Sequence, residues 1–264
     1  MTNQERLIAE LKNCQNAFFL SGAGISVASG ISPFRGSDPD AVWNKDVTEK
    51  GTFTYFREDV LGSWTWYLDR FSSLFDKAPN PAHFAVAEIA AWFSERNKKC
   101  TIATQNIDGL HRVRSDLDVI EIHGTAQRVR CATTGCADGE PFGSLPFPKD
   151  QIEMFRNDPQ LKNIPRCQCG DFLRPHVLWF DETYDAHQDY RYEEFLSRLY
   201  DAELCLCVGT SFSVGITATV VRYCYLYDIP LYILDPKEPE AFFAHWIQGK
   251  AEIILPKIIN ALPG

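Results

Sequence analysis

The chain has no apolar stretch of about 18 residues, so no membrane-spanning helix of ordinary length is expected. Its first residues, Met1 to Cys14, lack the apolar core of a secretory leader and carry only Leu7, Ile8 and Leu11 at helical spacing. Basic residues are in deficit: 26 Lys and Arg stand against 35 Asp and Glu, a formal net charge of -9. Gripping nucleic-acid phosphates without sequence preference needs a basic face, and no basic run occurs. Internal repeats and low-complexity tracts are absent too. These absences predict a soluble, cytoplasmic chain with neither a membrane nor a nucleic-acid partner.

What is present suits an α/β domain. At 264 residues, 45% of them hydrophobic, the chain can bury one large core, with room for a small insertion. Short apolar runs read as parallel strands: Ala17 to Leu20, Cys100 to Ala103, Val119 to Ile122, Leu204 to Val208 and Leu231 to Leu234. Helical stretches such as Pro81 to Arg96 and Ala218 to Tyr227 fall between them. This alternation predicts a Rossmann-like, doubly wound parallel sheet with ligands at the carboxyl ends of its strands. Residues 37–80, rich in Trp and Phe, read as a helical insertion, and 126–175 as a small module. The sheet part then comprises 1–36, 81–125 and 176–264 of a single domain.

The first strand runs into Gly22-Ala23-Gly24-Ile25-Ser26, a turn in which backbone N–H groups can approach a pyrophosphate with no Cβ in the way. It continues through Ser29, Gly30, Phe34 and Arg35, residues able to hold the rest of a dinucleotide. Other strand ends are polar as well. Thr104-Gln105-Asn106-Ile107-Asp108-Gly109 supplies donors and acceptors for an amide and ribose hydroxyls, or else caps the next helix. His123, after Val119 to Ile122, is either a hydrogen-bonded core residue or a general base. Gly209-Thr210-Ser211 ends the fourth run, and Asp235 ends the fifth, as a ribose acceptor or a turn residue.

The nine cysteines divide by surroundings. Cys100, Cys205, Cys207 and Cys224 lie in or beside apolar segments, as core residues do. Cys131-x4-Cys136 and Cys167-x-Cys169 form two tight pairs 30 residues apart, where core formers are scarce. Paired cysteines in an intracellular chain favour a metal over disulfides, and four thiolates suit a closed, structural Zn²⁺ site of the zinc-ribbon type. Four reduced thiols are the alternative.

Taken together, the glycine loop through Phe34-Arg35, Gln105-Asn106-Ile107-Asp108, His123-Gly124, the four cysteines and Gly209-Thr210-Ser211 resemble the sirtuins, NAD-dependent protein lysine deacylases, in the family's order over nearly the whole chain. The resemblance implies that Gly22, Ala23, Gly24, Ser26, Phe34, Arg35, Gln105, Asn106, Ile107, Asp108, Gly209, Thr210, Ser211, Asp235 and Ala251 bind NAD as a co-substrate. It implies too that Val177, Trp179 and Phe180 pair with an acyl-lysine peptide as an added strand. The acyl oxygen would attack C1′ of the nicotinamide ribose, with Asn106 and Asp108 positioning that end. His123 would then serve as base on the ribose hydroxyl, giving free lysine, nicotinamide and O-acyl-ADP-ribose.

Trp64 to Arg70 resembles the class III sirtuin segment with a Tyr-x-x-Arg pair. Tyr67 and Arg70 share a helix face, and a guanidinium beside a phenol suits an acyl chain ending in carboxylate, such as succinyl or malonyl. A core aromatic with a solvated arginine is the plainer reading. Three positions depart from the family pattern: the proline of Ser32-Pro33, Asp235 where Asn is usual, and Asp181 where Gly is usual, which is expected to add charge beside the peptide groove. The alternatives within this chemistry are ADP-ribosyl transfer or NAD hydrolysis; a non-catalytic NAD or ADP-ribose sensor is the third reading.

Overall fold

The computed structural model describes residues 1–32, 45–211, 215–239, 241 and 243–262. Helix α1 (Asn3–Asn13) opens on a capping box, Thr2 accepting from the Glu5 N–H while Glu5 accepts from the Thr2 N–H. Strand β1 (Asn16–Ser21) comes next and passes into a 3-10 helix, Ala23–Ser29, which Gly30 ends at φ 76°. After it stand α2 (Lys45–Lys50), α3 (Phe53–Glu58), α4 (Val60–Phe71) and α5 (Pro81–Ser94). Asn80 caps α5 and Pro81 fills its first position, where a missing N–H does no harm.

Strands β2 (Lys99–Thr104) and β3 (Val119–Glu121) rejoin the main sheet, and β4 (Gly124–Cys131), β5 (Leu145–Pro146), α6 (Lys149–Asn157) and β6 (Leu173–Val177) build the module. The chain closes with α7 (Tyr192–Tyr200), β7 (Leu204–Val208), α8 (Gly215–Tyr227), β8 (Leu231–Asp235), β9 (His245–Gln248) and α9 (Ala251–Ala261). The six-stranded parallel sheet has the order β3-β2-β1-β7-β8-β9. All five runs read as strands are in it. Strand β9 is an addition to them, because His245-Trp246-Ile247-Gln248 is too short and mixed to stand out as an apolar run.

Alternation along the strands feeds two cores. Phe19, Ile102, Leu204, Leu206 and Leu234 face one side with α1, α5 and α9. Phe18, Leu20, Ala103, Cys205, Cys207 and Ile233 face the other with α7 and α8. Cys205, Cys207 and Cys224 are therefore core side chains, and Cys100 packs at the edge of the first core. A third cluster lies beyond the sheet. It joins α3 and α4 (Phe56, Trp64, Tyr67, Leu68) to the antiparallel β5-β4-β6 sheet and α6 (Val129, Ile152, Phe155, Val177).

The order of the sheet reverses between β1 and β7, so their connections part and leave a crevice past their carboxyl ends. Glycines make the contact there. A Cβ on Gly24 would lie 2.5 Å from Gly209 Cα, and one on Gly209, at φ +59°, would lie 2.6 Å from Gly24 Cα. The N–H groups of Gly22 and Gly24 donate to the Val208 and Gly209 carbonyls, each at 2.9 Å. These two N–H groups thus join strand ends, and the lack of Cβ atoms first serves that junction.

Two predictions arise from this packing. Gly209→Ala meets backbone and a left-handed φ together, so it should lower unfolding free energy by about 2–4 kcal/mol, whereas Gly215→Ala, with nothing within 4 Å, should change it by less than about 0.5 kcal/mol. Urea denaturation of the two variants compares them, and equal effects would refute the close-approach argument. The second concerns acid. Burial lowers the pKa of His83, His111 and His176 to about 4, about 3 and about 4. The unfolded chain binds protons at these sites near pH 6.5 and the folded chain does not, so stability is full above that pH. It is lost as the pH falls towards 4, by up to about 1.4 kcal/mol per pH unit and histidine. The urea midpoint should be lower at pH 5.5 than at pH 7.5; a constant midpoint would mean these imidazoles charge freely in the fold.

Candidate active site

Polar side chains gather where β1, β2, β3 and β7 end. Asn106 is buried, its Nδ2 donating to the Gly22 carbonyl (3.1 Å) and Ser26 Oγ (3.2 Å) while its N–H donates to Thr104 Oγ1 (3.1 Å). Asp108 accepts from Ser26 Oγ at 2.7 Å and from the Leu110 N–H at 2.9 Å, and burial pushes its carboxyl above the usual range. The backbone of Ile107 accepts from the Ala126 N–H at 2.8 Å, joining this strand end to β4. Gln105 accepts from Thr217 of α8 through Oε1 (3.1 Å), and its backbone carbonyl faces His123 Nδ1 at 2.8 Å.

That last contact fixes the chemistry of His123. A carbonyl oxygen only accepts, so Nδ1 carries the proton and Nε2 the lone pair. Burial lowers the His123 pKa to about 4, which leaves the imidazole neutral and able to take a proton. The sequence alone leaves His123 between core residue and base. It is half-buried, two residues past the carboxyl end of β3.

On the β7 side, Thr210 Oγ1 is buried with no hydrogen-bond partner among the described residues, and Ser211 beside it is exposed. An unpaired buried hydroxyl at a strand end is a group awaiting a polar ligand. The neighbouring strand supplies Asp235, whose Oδ1 accepts from the Lys237 N–H at 2.8 Å and whose carboxyl burial pushes up. Ala251 is the buried first residue of α9, joined to the same end of the sheet because the Gly249 N–H donates to the Asp235 carbonyl. Gly22, Ala23, Gly24, Ser26, Gln105 to Asp108, Gly209 to Ser211, Asp235 and Ala251 therefore fall along one edge of the sheet. Phe34 and Arg35, and Pro33 before them, lie outside the described residues.

The segment read as a peptide-pairing strand is β6 with the turn after it. Val177 pairs with Gly124, and the Leu178 N–H donates to the His123 carbonyl at 2.9 Å, which brings this strand to the candidate base. Trp179 is buried against Phe56 (5.4 Å), and Phe180 is half exposed, with its N–H on the Gly51 carbonyl. Glu182 holds the turn by accepting from the Trp179 N–H at 2.9 Å. It is held in turn by two buried guanidinium groups, Arg130 at 2.9 Å and Arg174 at 2.8 Å. Asp181 departs from expectation. Its carboxylate turns to the start of α3, accepting from the N–H groups of Phe53 (2.7 Å) and Thr54 (2.9 Å) and from Thr54 Oγ1 (2.9 Å). Its charge is held there, tying the turn after β6 to α3, the helix that precedes the one carrying Tyr67 and Arg70.

Those two residues lie on α4, one turn apart. Tyr67 is buried against Trp64 and Phe71, and its hydroxyl has no hydrogen-bond partner among the described residues. It shares a cluster with Ile107, Val177 and Trp179, at the meeting of the strand ends and the peptide segment. Arg70, half-buried, lies with its guanidinium carbon 6.0 Å from the Trp66 ring centre.

The four paired cysteines converge as their pairing predicts. Cys131 Sγ is 3.5 Å from Cys169 Sγ, Cys136 Sγ is 3.6 Å from Cys167 Sγ, and all four sulfurs lie within 4.8 Å of one another. A tetrahedral zinc with Zn–S bonds of about 2.3 Å sets sulfurs about 3.8 Å apart, so the cluster suits a structural zinc. The N–H of Asp171 holds the Cys169 thiol below its usual range, while burial raises those of Cys131 and Cys167, so a cation among them would be needed to hold all four as thiolates.

Two polar partners of the site escape a reading of the sequence. His83 reaches Ser26 Oγ at 3.4 Å while its Nδ1 accepts from the Asn80 N–H. Asn80-Pro81 is a readable helix start, and a side chain three residues past such a cap commonly turns back to it. Tyr184, whose hydroxyl lies 3.3 Å from His123 Nε2, stands in a turn with no periodicity to mark it.

Comparison with known proteins agrees with this architecture. A sequence model of the Sir2 family matches residues 22–215. The chain is 32% identical over 263 residues to an NAD-dependent protein deacetylase of Sulfolobus acidocaldarius, covering 98% of this chain and 96% of that protein. It is 34% identical over 221 residues to the mitochondrial NAD-dependent protein deacylase sirtuin-5 of Canis lupus familiaris, covering 80% of this chain and 68% of that protein. The solved structure of a Sir2 homolog–NAD complex superposes with a TM-score of 0.77 at 28% identity, over 98% of this chain and 93% of that one. With the family's match spanning the glycine loop, His123, the cysteine cluster and the β7 loop, the chain belongs to the Sir2 family.

Proposed function

We propose that this protein is an NAD-dependent protein lysine deacylase that prefers acyl groups ending in a carboxylate, such as succinyl or malonyl. NAD is the co-substrate, held along the carboxyl ends of β1, β2, β7 and β8 by the residues from Gly22 to Ser26, Gln105 to Asp108, Gly209 to Ser211, Asp235 and Ala251. Asn106 and Asp108 orient the nicotinamide end. The acyl-lysine peptide lies along Val177, Trp179 and Phe180. His123, neutral and with its lone pair on Nε2, takes the proton of the ribose hydroxyl that captures the acyl carbon, and the acyl group leaves on ADP-ribose.

One observation carries the acyl preference: the buried Tyr67 hydroxyl, without a hydrogen-bond partner among the described residues, in the cluster with Ile107, Val177 and Trp179. Leaving a buried donor unsatisfied costs about 1–3 kcal/mol, so the site favours a ligand that brings an acceptor to that place. An acetyl group ends in a methyl, and its one acceptor, the amide oxygen, is the atom that attacks C1′. A terminal carboxylate brings an acceptor there, and Arg70 one turn on gives it a charge-assisted partner.

The test is a panel of acetyl, malonyl, succinyl and glutaryl peptides with NAD. Arg70→Met should lower kcat/KM for the succinyl peptide by about 100-fold, a loss near 3 kcal/mol, and for the acetyl peptide by less than about threefold. Equal losses on both would refute the role given to Arg70. Nicotinamide release that ignores every acyl peptide would instead favour NAD hydrolysis. Stripping zinc with a chelator should lower the melting temperature and expose residues 131–175 to proteolysis. Folded, active protein with no zinc by metal analysis would overturn the structural site.

A further inference from the structure

Tyr184 lies on the working nitrogen of His123. Because Nδ1 faces the Gln105 carbonyl, Nε2 is the acceptor nitrogen, and the Tyr184 hydroxyl 3.3 Å away is the donor to it. The two rings lie 25° apart in plane with centres 5.8 Å apart, and Tyr192 stacks on Tyr184 in turn, at 5.2 Å and 21°. Tyr192, the first residue of α7, thus places the phenol ring, and burial keeps it protonated by pushing its pKa up to about 12. Among the described residues no carboxylate hydrogen-bonds His123.

We infer that Tyr184 is a positioning residue for His123, holding the imidazole plane and the direction of the Nε2 lone pair through its ring and hydroxyl. This rests on the proposed role of His123 as base. Until a ribose hydroxyl takes the Nε2 lone pair the phenol O–H donates to it, and the phenol gives up that bond when the ribose hydroxyl arrives. In the reaction the acyl oxygen is already bonded to C1′ as an imidate; the ribose O–H bond breaks, its proton forms a bond with Nε2, and the oxygen's electron pair forms the new bond to the imidate carbon while that carbon's C=N π pair moves onto the lysine nitrogen. The imidazole is then a cation with protons on both nitrogens. A hydroxyl can accept as well as donate, so by turning its own hydrogen away the phenol accepts from Nε2–H. That charge-assisted bond is stronger than the neutral one it replaces. One side chain therefore serves both protonation states of the base, as a carboxylate could not without holding the imidazole charged from the start.

Tyr184→Phe keeps the stacked ring and removes only the hydroxyl. Two measurements on the full chain test it. The first needs no turnover: ¹⁵N NMR of the imidazole in the protein alone should show Nε2 as a hydrogen-bonded acceptor, and Tyr184→Phe should move it towards an unbonded pyridine-type nitrogen. An unchanged Nε2 resonance would overturn the inference. The second separates the steps. Exchange of labelled nicotinamide into NAD in the presence of acyl peptide needs glycosidic cleavage but no base, whereas deacylation needs both. Tyr184→Phe should slow deacylation by about tenfold and leave exchange within about twofold. Equal losses in the two, or none in deacylation, would overturn it. A His123→Ala variant that still deacylates would strike at the proposed base itself, a result the NMR comparison tells apart from a failure of the Tyr184 contact.

Discussion

The contact between Gly24 and Gly209 is the constraint on which the site depends. β1 and β7 are neighbours at the one place where the strand order reverses, so the crevice for a ligand must open there. How wide and where it opens is set by how closely the two chain turns approach. The Gly24 N–H reaches the Gly209 carbonyl at 2.9 Å, and the Gly209 N–H reaches the Leu234 carbonyl at 3.0 Å, so three strand ends are joined. Asn106 hangs from the same turn through the Gly22 carbonyl, and Ser26, one residue past Ile25, carries Asp108. A side chain at either glycine would push the strand ends apart and carry the polar set of β2 with them.

The peptide side is organised differently, by charge buried away from the sheet. Arg130 and Arg174 are buried, and a buried guanidinium is tolerated only if well paired. Glu182 lies between them and also accepts from the Trp179 N–H, so the turn after β6 is positioned by an ionic group that has nowhere else to go. Arg130 reaches Glu140 and Tyr190 as well, which ties this turn to the cysteine-bearing module. Arg174 lies 4.0 Å from the Trp179 ring centre and 4.9 Å from that of Phe53. Through Phe53 and the Asp181 cap, the same turn is fixed to α3, and α3 leads directly into α4. The turn after β6 and the helices before α5 are thus joined through one short stretch, residues 174–182.

Much of this is legible in the sequence, and the reason differs by element. The parallel strands are buried on both faces, so each is a plain apolar run with a small or polar residue after it, and all five runs match strands within a residue or two. The cysteine cluster is legible because tight pairs in a poor core have few other uses. His123 and the Gln105 to Asp108 strand end are legible as polar residues where the architecture puts ligands. The rest depends on tertiary approach. Nothing in Gly22-Ala23-Gly24 tells that its N–H groups meet a loop nearly 190 residues later rather than a phosphate. Asp181 reads as a charge beside the groove until α3 is seen to begin against it. Strand β9 is held by its neighbour β8, not by an apolar signal of its own.

Where the charges sit divides the labour of the site. His123, the proposed base, is neutral, half-buried, bonded on Nδ1 to a backbone carbonyl and on Nε2 to a phenol. A carboxylate on that imidazole would raise its pKa towards neutral pH. The chain instead keeps Asp108 on Ser26 and the Leu110 N–H, and Asp181 and Glu182 on helix and guanidinium partners. The arginine proposed to read the substrate, Arg70, lies on another element, grouped with Tyr67 at the acyl end. In the proposed reading the charge of an acidic acyl chain is met by Arg70. The neutral imidazole and the guanidinium stand on different elements, one just past β3 and the other on α4.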